Sequence, residues 1–158
     1  MTKLIFDQDY KQWISALKQQ FRQAQLKAVV KVNSELLQFY WQLGKDILAR
    51  QQGTQWGDGF LTQLSKDLST EFPEIKGFSK RNLELIRKWR RYWQQVEVAQ
   101  PAIAKQLVSQ LVQIPWGHNV VIVSQSKNIE QALYYVASTI ENGWSRSVLV
   151  HQIESGLY

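Results

Sequence analysis

From Lys76 to Arg91 seven basic side chains, Lys76, Lys80, Arg81, Arg87, Lys88, Arg90 and Arg91, stand against one acid, Glu84. The chain of 158 residues carries a net charge of +6, so this segment holds all of the excess and the rest is balanced. Positive charge gathered into so short a stretch suits a surface that meets phosphate, because each Lys or Arg displaces a counterion from a polyanion. A solvated helix face has the same composition, and charge alone does not separate the two. A second group, Arg146, Ser147 and His151, is a weaker candidate, with one arginine and one histidine.

Other chemistries lack their residues. The absence of cysteine excludes disulfides, thiol nucleophiles and Cys-ligated zinc, and suits a reducing compartment. The two histidines, His118 and His151, have no HExxH or similar spacing, so no metal is expected. Neither GxxxxGK[ST] nor GxGxxG occurs, and no cofactor is expected. No apolar run approaches the roughly 18 to 20 residues that span a bilayer. The N-terminal MTKLIFDQDYKQW also lacks the apolar stretch of a secretory signal, so the expected compartment is the cytoplasm, with no membrane partner.

The elements that must carry these side chains read as helices. Apolar residues at Ile14, Leu17, Phe21, Ala24, Ala28, Val32, Leu36, Tyr40, Leu43 and Ile47 step by three and four without a proline. They predict one long helix over 7–51, or two with a break near Asn33-Ser34 or Gly44, serving as the spine of the domain or as a seam against a second copy. GTQWGDG then stops it. Over 60–94 the pattern is helix, turn, helix. Phe60, Leu61, Leu64, Leu68 and Phe72 line the first helix, and Pro73 and Gly77 break the chain. Ser79 caps the second helix, whose inner face is Leu83, Ile86, Trp89 or Arg90, and Trp93. Its outward residues are Lys80, Arg81, Glu84, Arg87, Lys88 and Arg91.

In a helix-turn-helix the start of the second helix enters the major groove. Lys80 and Arg81 are then placed to reach base edges, and Arg87, Lys88 and Arg91 to hold phosphates, with Lys76 and Ser79 at the corner also counted as DNA-binding candidates. Asn82 reads either as an adenine contact or as an aid to the Ser79 cap. A linker over 95–115 contains a short helix within 106–114. Val120 to Val123 favour a strand by propensity, but no partner strand is evident, and the stretch reads as a buried helix; a strand there would point to a winged form. Further helices are expected over 129–140, ended by Asn142-Gly143, and after Ser145, with Val148, Leu149 and Ile153 inward and Arg146, Ser147 and His151 outward. The tryptophans read as core, Trp89 and Trp93 because they continue the inner face of Leu83 and Ile86.

Two of these corners share a spelling, GFSKRNL at 77–83 and GWSRSVL at 143–149. Glycine takes the left-handed conformation after a helix, the aromatic ring anchors the turn, serine caps the next helix, and leucine enters the core. Only the first corner opens a heavily basic helix, so the second reads as a packing corner.

The succession VNSELLQFYWQLGKDI (32–47), WGDGFLTQLSKDLSTEFPEIKGFSKRNLELIRKW (56–89), IPWGHN (114–119) and IENGWSRSVLVHQIES (140–155) resembles the N-terminal domain of the YhcG-like family of bacterial proteins. In that family the domain is thought to be DNA-binding and helix-turn-helix-like, and it precedes a predicted PD-(D/E)XK nuclease domain. The likeness implies one domain over 1–158, ending near where members continue toward the nuclease, whether the chain is an excised piece or naturally short. Asp58 with Glu74-Ile75-Lys76 has the spacing of that nuclease motif, in which two acids hold Mg²⁺ and a lysine assists the attacking water. Their loop and turn context is wrong for it. The expectation is a mostly α, non-catalytic module that binds nucleic acid, with duplex DNA as the expected partner, and that targets a nuclease domain in cis or trans. The alternative is a homodimerising or protein-interaction module without DNA binding.

Overall fold

The computed structural model describes residues 8–53 and 59–156, with 22–32 and 52–53 described as backbone only. Ala24, Ala28 and Val32 of the apolar stripe, and Asp58 of the nuclease-like spacing, lie outside the described side chains.

Every regular element among the described residues is helical. The helices are α1 (Gln8–Gly53), α2 (Phe60–Glu71), α3 (Lys80–Ala99), α4 (Pro101–Leu111), α5 (Trp116–Gln125), α6 (Ile129–Asn142) and α7 (Arg146–Glu154), with a 3₁₀ turn at Lys76–Phe78 between α2 and α3. The fold class is mostly α, and Val120 to Val123 lie in α5, where Val121, Ile122 and Val123 are buried. Burial against α3, α6 and α7 overrides their β propensity. No wing strand is found among the described residues.

α1 is folded back on itself. At 1.5 Å per residue a straight helix would hold Trp13 and Asp46 about 50 Å apart. The Trp13 indole instead donates to Asp46 Oδ2 at 3.1 Å, and the rings of Phe21 and Phe39 lie 5.2 Å apart. Pairing 13 with 46 and 21 with 39 is antiparallel, so the chain reverses between Phe21 and Phe39. That interval includes the expected break near Asn33-Ser34 and excludes Gly44. Asn33 holds the returning arm to the turn after α4, its side-chain amide donating to the carbonyls of Val112 and Ile114 at 3.0 Å each.

α3 is the centre of the packing, touching α1, α2, α4 and α5. Its Leu83, Ile86, Trp89, Arg90, Trp93 and Val96 are buried, so the sequence alternatives Trp89 and Arg90 both face inward. Around it two aromatic groups fill the core. Phe21 meets Phe72 and Phe78 at ring distances of 4.9 and 4.8 Å, and Trp89 meets Trp41 and Trp116 at 5.3 and 4.9 Å. Edge-to-face contacts of this kind add about 0.5–1.5 kcal/mol to the area each ring buries.

Two expectations are corrected. The linker over 95–115 is mostly helical: α3 continues to Ala99, and Pro101, whose fixed φ and missing N–H suit a first turn, opens α4 one residue later. Val148 faces outward at 40% exposure, while Leu149, a 100° step further round α7, is fully buried.

Candidate nucleic-acid interface

The first corner begins where α2 ends. Phe72 N–H donates to the Leu68 carbonyl, and the chain turns through Pro73 and Glu74 into the 3₁₀ turn. Phe78 is fully buried, and Ser65 Oγ donates to its carbonyl at 2.7 Å, pinning the turn to α2. Ser79 then caps α3, its Oγ accepting the Asn82 N–H at 3.1 Å. Glu74, the acid of the nuclease-like spacing, is exposed in the turn.

Gly77 departs from the expected left-handed conformation, since the positive φ angles among the described residues belong to Gly143 and Gly156. Its missing side chain instead makes room for Tyr40, because a Cβ there would collide with the phenolic oxygen. Gly143, in the second corner, does adopt φ 62° and ends α6. Ser145 repeats the cap by accepting the Val148 N–H at 3.3 Å. The repeated spelling thus shares its caps and its buried Leu83 and Leu149, while its two glycines serve different needs.

Beyond the cap, the 100° helical step gathers Lys80, Arg81, Glu84, Lys88 and Arg91 on one face of α3. All five are exposed, as is Lys76 in the turn before them. From Lys80 to Arg91 the face runs about 16 Å along the helix. Among the described residues none of Lys76, Lys80, Arg81, Lys88 and Arg91 forms an ion pair; the pairs present are Lys18–Glu71 and Arg90–Glu97. Arg87 stands at the edge of this face, half-buried, and its Nη1 donates to Gln51 Oε1 on α1 at 3.0 Å. Among the described residues it has no acidic partner.

Arg90 belongs to a different environment. It is 3% exposed, its Nη1 meets Glu97 Oε1 at 2.6 Å, and its guanidinium lies 4.0 Å from the Trp41 ring centroid. It therefore drops out of the outward charge.

Asn82 is also committed within the fold. Its Nδ2 donates to the Gly77 carbonyl and its Oδ1 accepts from Trp116 Nε1, both at 2.8 Å. Burial pushes the neighbouring Tyr40 phenol above its ordinary range, partly offset by a hydrogen bond with Asn82. With both ends of the amide engaged, Asn82 positions the corner. Between this corner and the first turn of α5 lies an open cleft of about 310 Å³, lined by Tyr40, Lys76, Gly77, Ser79, Arg81, Asn82, Leu85 and Trp116.

The block IPWGHN, noted in the sequence only for its likeness, joins distant parts of the chain. Asn119 Oδ1 accepts from Trp89 Nε1 at 3.2 Å, and its Nδ2 reaches the Leu111, Ile114 and Pro115 carbonyls at 3.0–3.1 Å. His118 is buried and donates from Nε2 to the Trp144 carbonyl at 2.8 Å, which places its proton on that nitrogen. Only its polar residues amid apolar neighbours could have flagged this role. In the second corner Arg146, Ser147 and His151 are all exposed. Among the described residues no group of three His, Cys, Asp or Glu side chains stands together as a metal site, and no helix is long and apolar enough to cross a membrane.

The family described as DUF1016 N-terminal domain matches residues 16–158, nearly the span over which the sequence blocks resemble the YhcG-like proteins. The chain belongs to that family. No curated protein and no solved structure matches it.

Proposed function

We propose that this DUF1016 N-terminal domain is a non-catalytic nucleic-acid-binding module that grips duplex DNA with the outward face of α3, and that it serves to bring a nuclease domain, in cis or in trans, to its substrate. The observation that carries the reading is the exposed row Lys76, Lys80, Arg81, Lys88 and Arg91, whose charges have no acidic partner among the described residues. A solvated helix face ordinarily interleaves acids at i,i+4 to stabilise itself; this one has Glu84 alone. Lys80 and Arg81 stand in the first turn, the part of a recognition helix that reaches base edges, while Lys88 and Arg91 stand further along, where phosphates run. The nuclease association rests on the resemblance to the YhcG-like proteins.

A fluorescent duplex titrated across a salt series tests this. Neutralising about four to six phosphates gives log K against log[salt] a slope of roughly −4 to −5. Replacing Lys88 and Arg91 together by Ala flattens it by about two units, alike for all sequences. Arg81→Ala costs about 1–3 kcal/mol on a preferred site and little on random DNA. A slope near zero, or no binding at low salt, overturns the reading.

A further inference from the structure

The two corners lie 66 positions apart in sequence, yet the first turn of α5 ties them together. On one side the Trp116 indole donates to Asn82 of the first corner. On the other, His118 donates to the Trp144 carbonyl of the second. Between them stands Gly117, and a Cβ placed on it would lie 3.6 Å from Arg146 Cδ and 3.8 Å from its Nη1. The Arg146 side chain therefore passes beside Gly117 in the first turn of α5, one residue from Trp116, which lines the cleft with Lys76 and Arg81.

Nothing in the second corner's own architecture requires that arginine. The left-handed Gly143, the Ser145 cap and the buried Leu149 are complete without it. Arg146 is exposed, and among the described residues it has no ion pair.

We propose that the two corners form one nucleic-acid surface, in which Arg146 holds a backbone phosphate of the same duplex that α3 engages. The inference rests on the nucleic-acid reading of α3 and adds a second, separate contact to it. A duplex presents phosphates on both walls of a major groove about 12 Å wide. When the first turn of α3 points into the groove, whatever flanks that turn lies over a wall. Lys76 and Arg81 occupy one side of the cleft, Trp116 of α5 lines the other, and Arg146, at the start of α7, lies beside Gly117 next to it. The packing role that the sequence suggests for the second corner and a phosphate contact at its first helical residue are compatible, because different residues perform them.

The test uses the full chain and a fluorescein-labelled duplex of random sequence. Arg146→Ala weakens binding roughly five- to tenfold at 0.1 M salt and makes the salt slope shallower by about 0.9, the value of one phosphate contact. Gly117→Glu places a carboxylate beside Arg146 without removing it and in a first turn that favours acids, so the fold is kept while binding falls. Arg146→Lys restores most of the loss, as a charge contact permits and a packing contact does not. Lys105→Ala, an exposed charge on α4, serves as the matched control, with circular dichroism reporting the fold. If the parent chain binds and both Arg146→Ala and Gly117→Glu match it, the composite surface is overturned and the α3 reading stands. If the parent chain does not bind at all, the α3 reading fails and this one with it.

Discussion

Arg90 and Arg91 are neighbours in sequence with opposite fates. Arg91 is exposed on the outward face, whereas the Arg90 guanidinium is sealed between Glu97 and the Trp41 ring. A charge removed from water depends on its partner, and deleting one member of a buried pair strands the other. Glu97→Ala should therefore lower stability by about 3 kcal/mol, read as a shift in the urea midpoint. Arg91→Ala, one residue further along, should stay within roughly 0.5 kcal/mol and weaken DNA binding instead. A helical wheel already places positions 89 and 90 in the inward arc, so this burial was half legible. The Asn82 role was not, because its partner Trp116 lies 34 residues away and nothing local announces it. Asn82→Ala leaves the Trp116 N–H and the Gly77 carbonyl unpaired, a loss of about 1–3 kcal/mol that differential scanning would register.

Among the elements, Gly44 marks where α1 meets α3, and Gly77 marks where the 3₁₀ turn meets α1. A Cβ on Gly44 would sit 2.6 Å from the Arg90 Cβ and 3.2 Å from the Ile86 carbonyl oxygen, so Gly44→Ala must push α3 away from α1. The expected cost is that of overpacking, about 1–3 kcal/mol. Gly77→Ala meets the Tyr40 hydroxyl instead, and combining it with Tyr40→Phe should recover part of the lost stability, a coupling that a double-mutant cycle would measure. Glycine in a sequence signals a break or a close approach without saying which, and at Gly44 the second meaning holds. The helical elements themselves were largely readable, down to the Ser79 and Ser145 caps, because three- and four-residue spacing and capping are local. The reversal within α1 was less so: the apolar stripe fits a spine, a seam or a folded pair equally well. Only contacts such as Trp13 with Asp46 choose among them.

For the molecule as a whole, that reversal changes what can be expected of assembly. Of the described stripe residues, Ile14, Leu17, Phe21, Tyr40, Leu43 and Ile47 are buried within the chain's own core, and Leu36 packs against it half-buried. Among the described residues the large exposed apolar side chains are Val98 and Val148, on different helices, too little for a stable interface. Light scattering at micromolar concentration should thus give a particle of 18.5 kDa, the mass of one chain. Twice that mass would mean that the two arms of α1 pack across copies, joining two basic faces in one particle.

The position of α3 has a further consequence, which concerns motion. The helix that presents the outward cations is also the one against which α1, α2, α4 and α5 are built, with Trp89 and Trp93 sunk into the centre. Such a helix opens to solvent only when the whole molecule does, so its amides should exchange at the rate of global unfolding. A surface mounted on it cannot adapt its backbone to a ligand. On the proposed reading it would meet DNA as a preformed rigid body, with little conformational entropy to lose on contact, and any adjustment of shape would fall to the duplex.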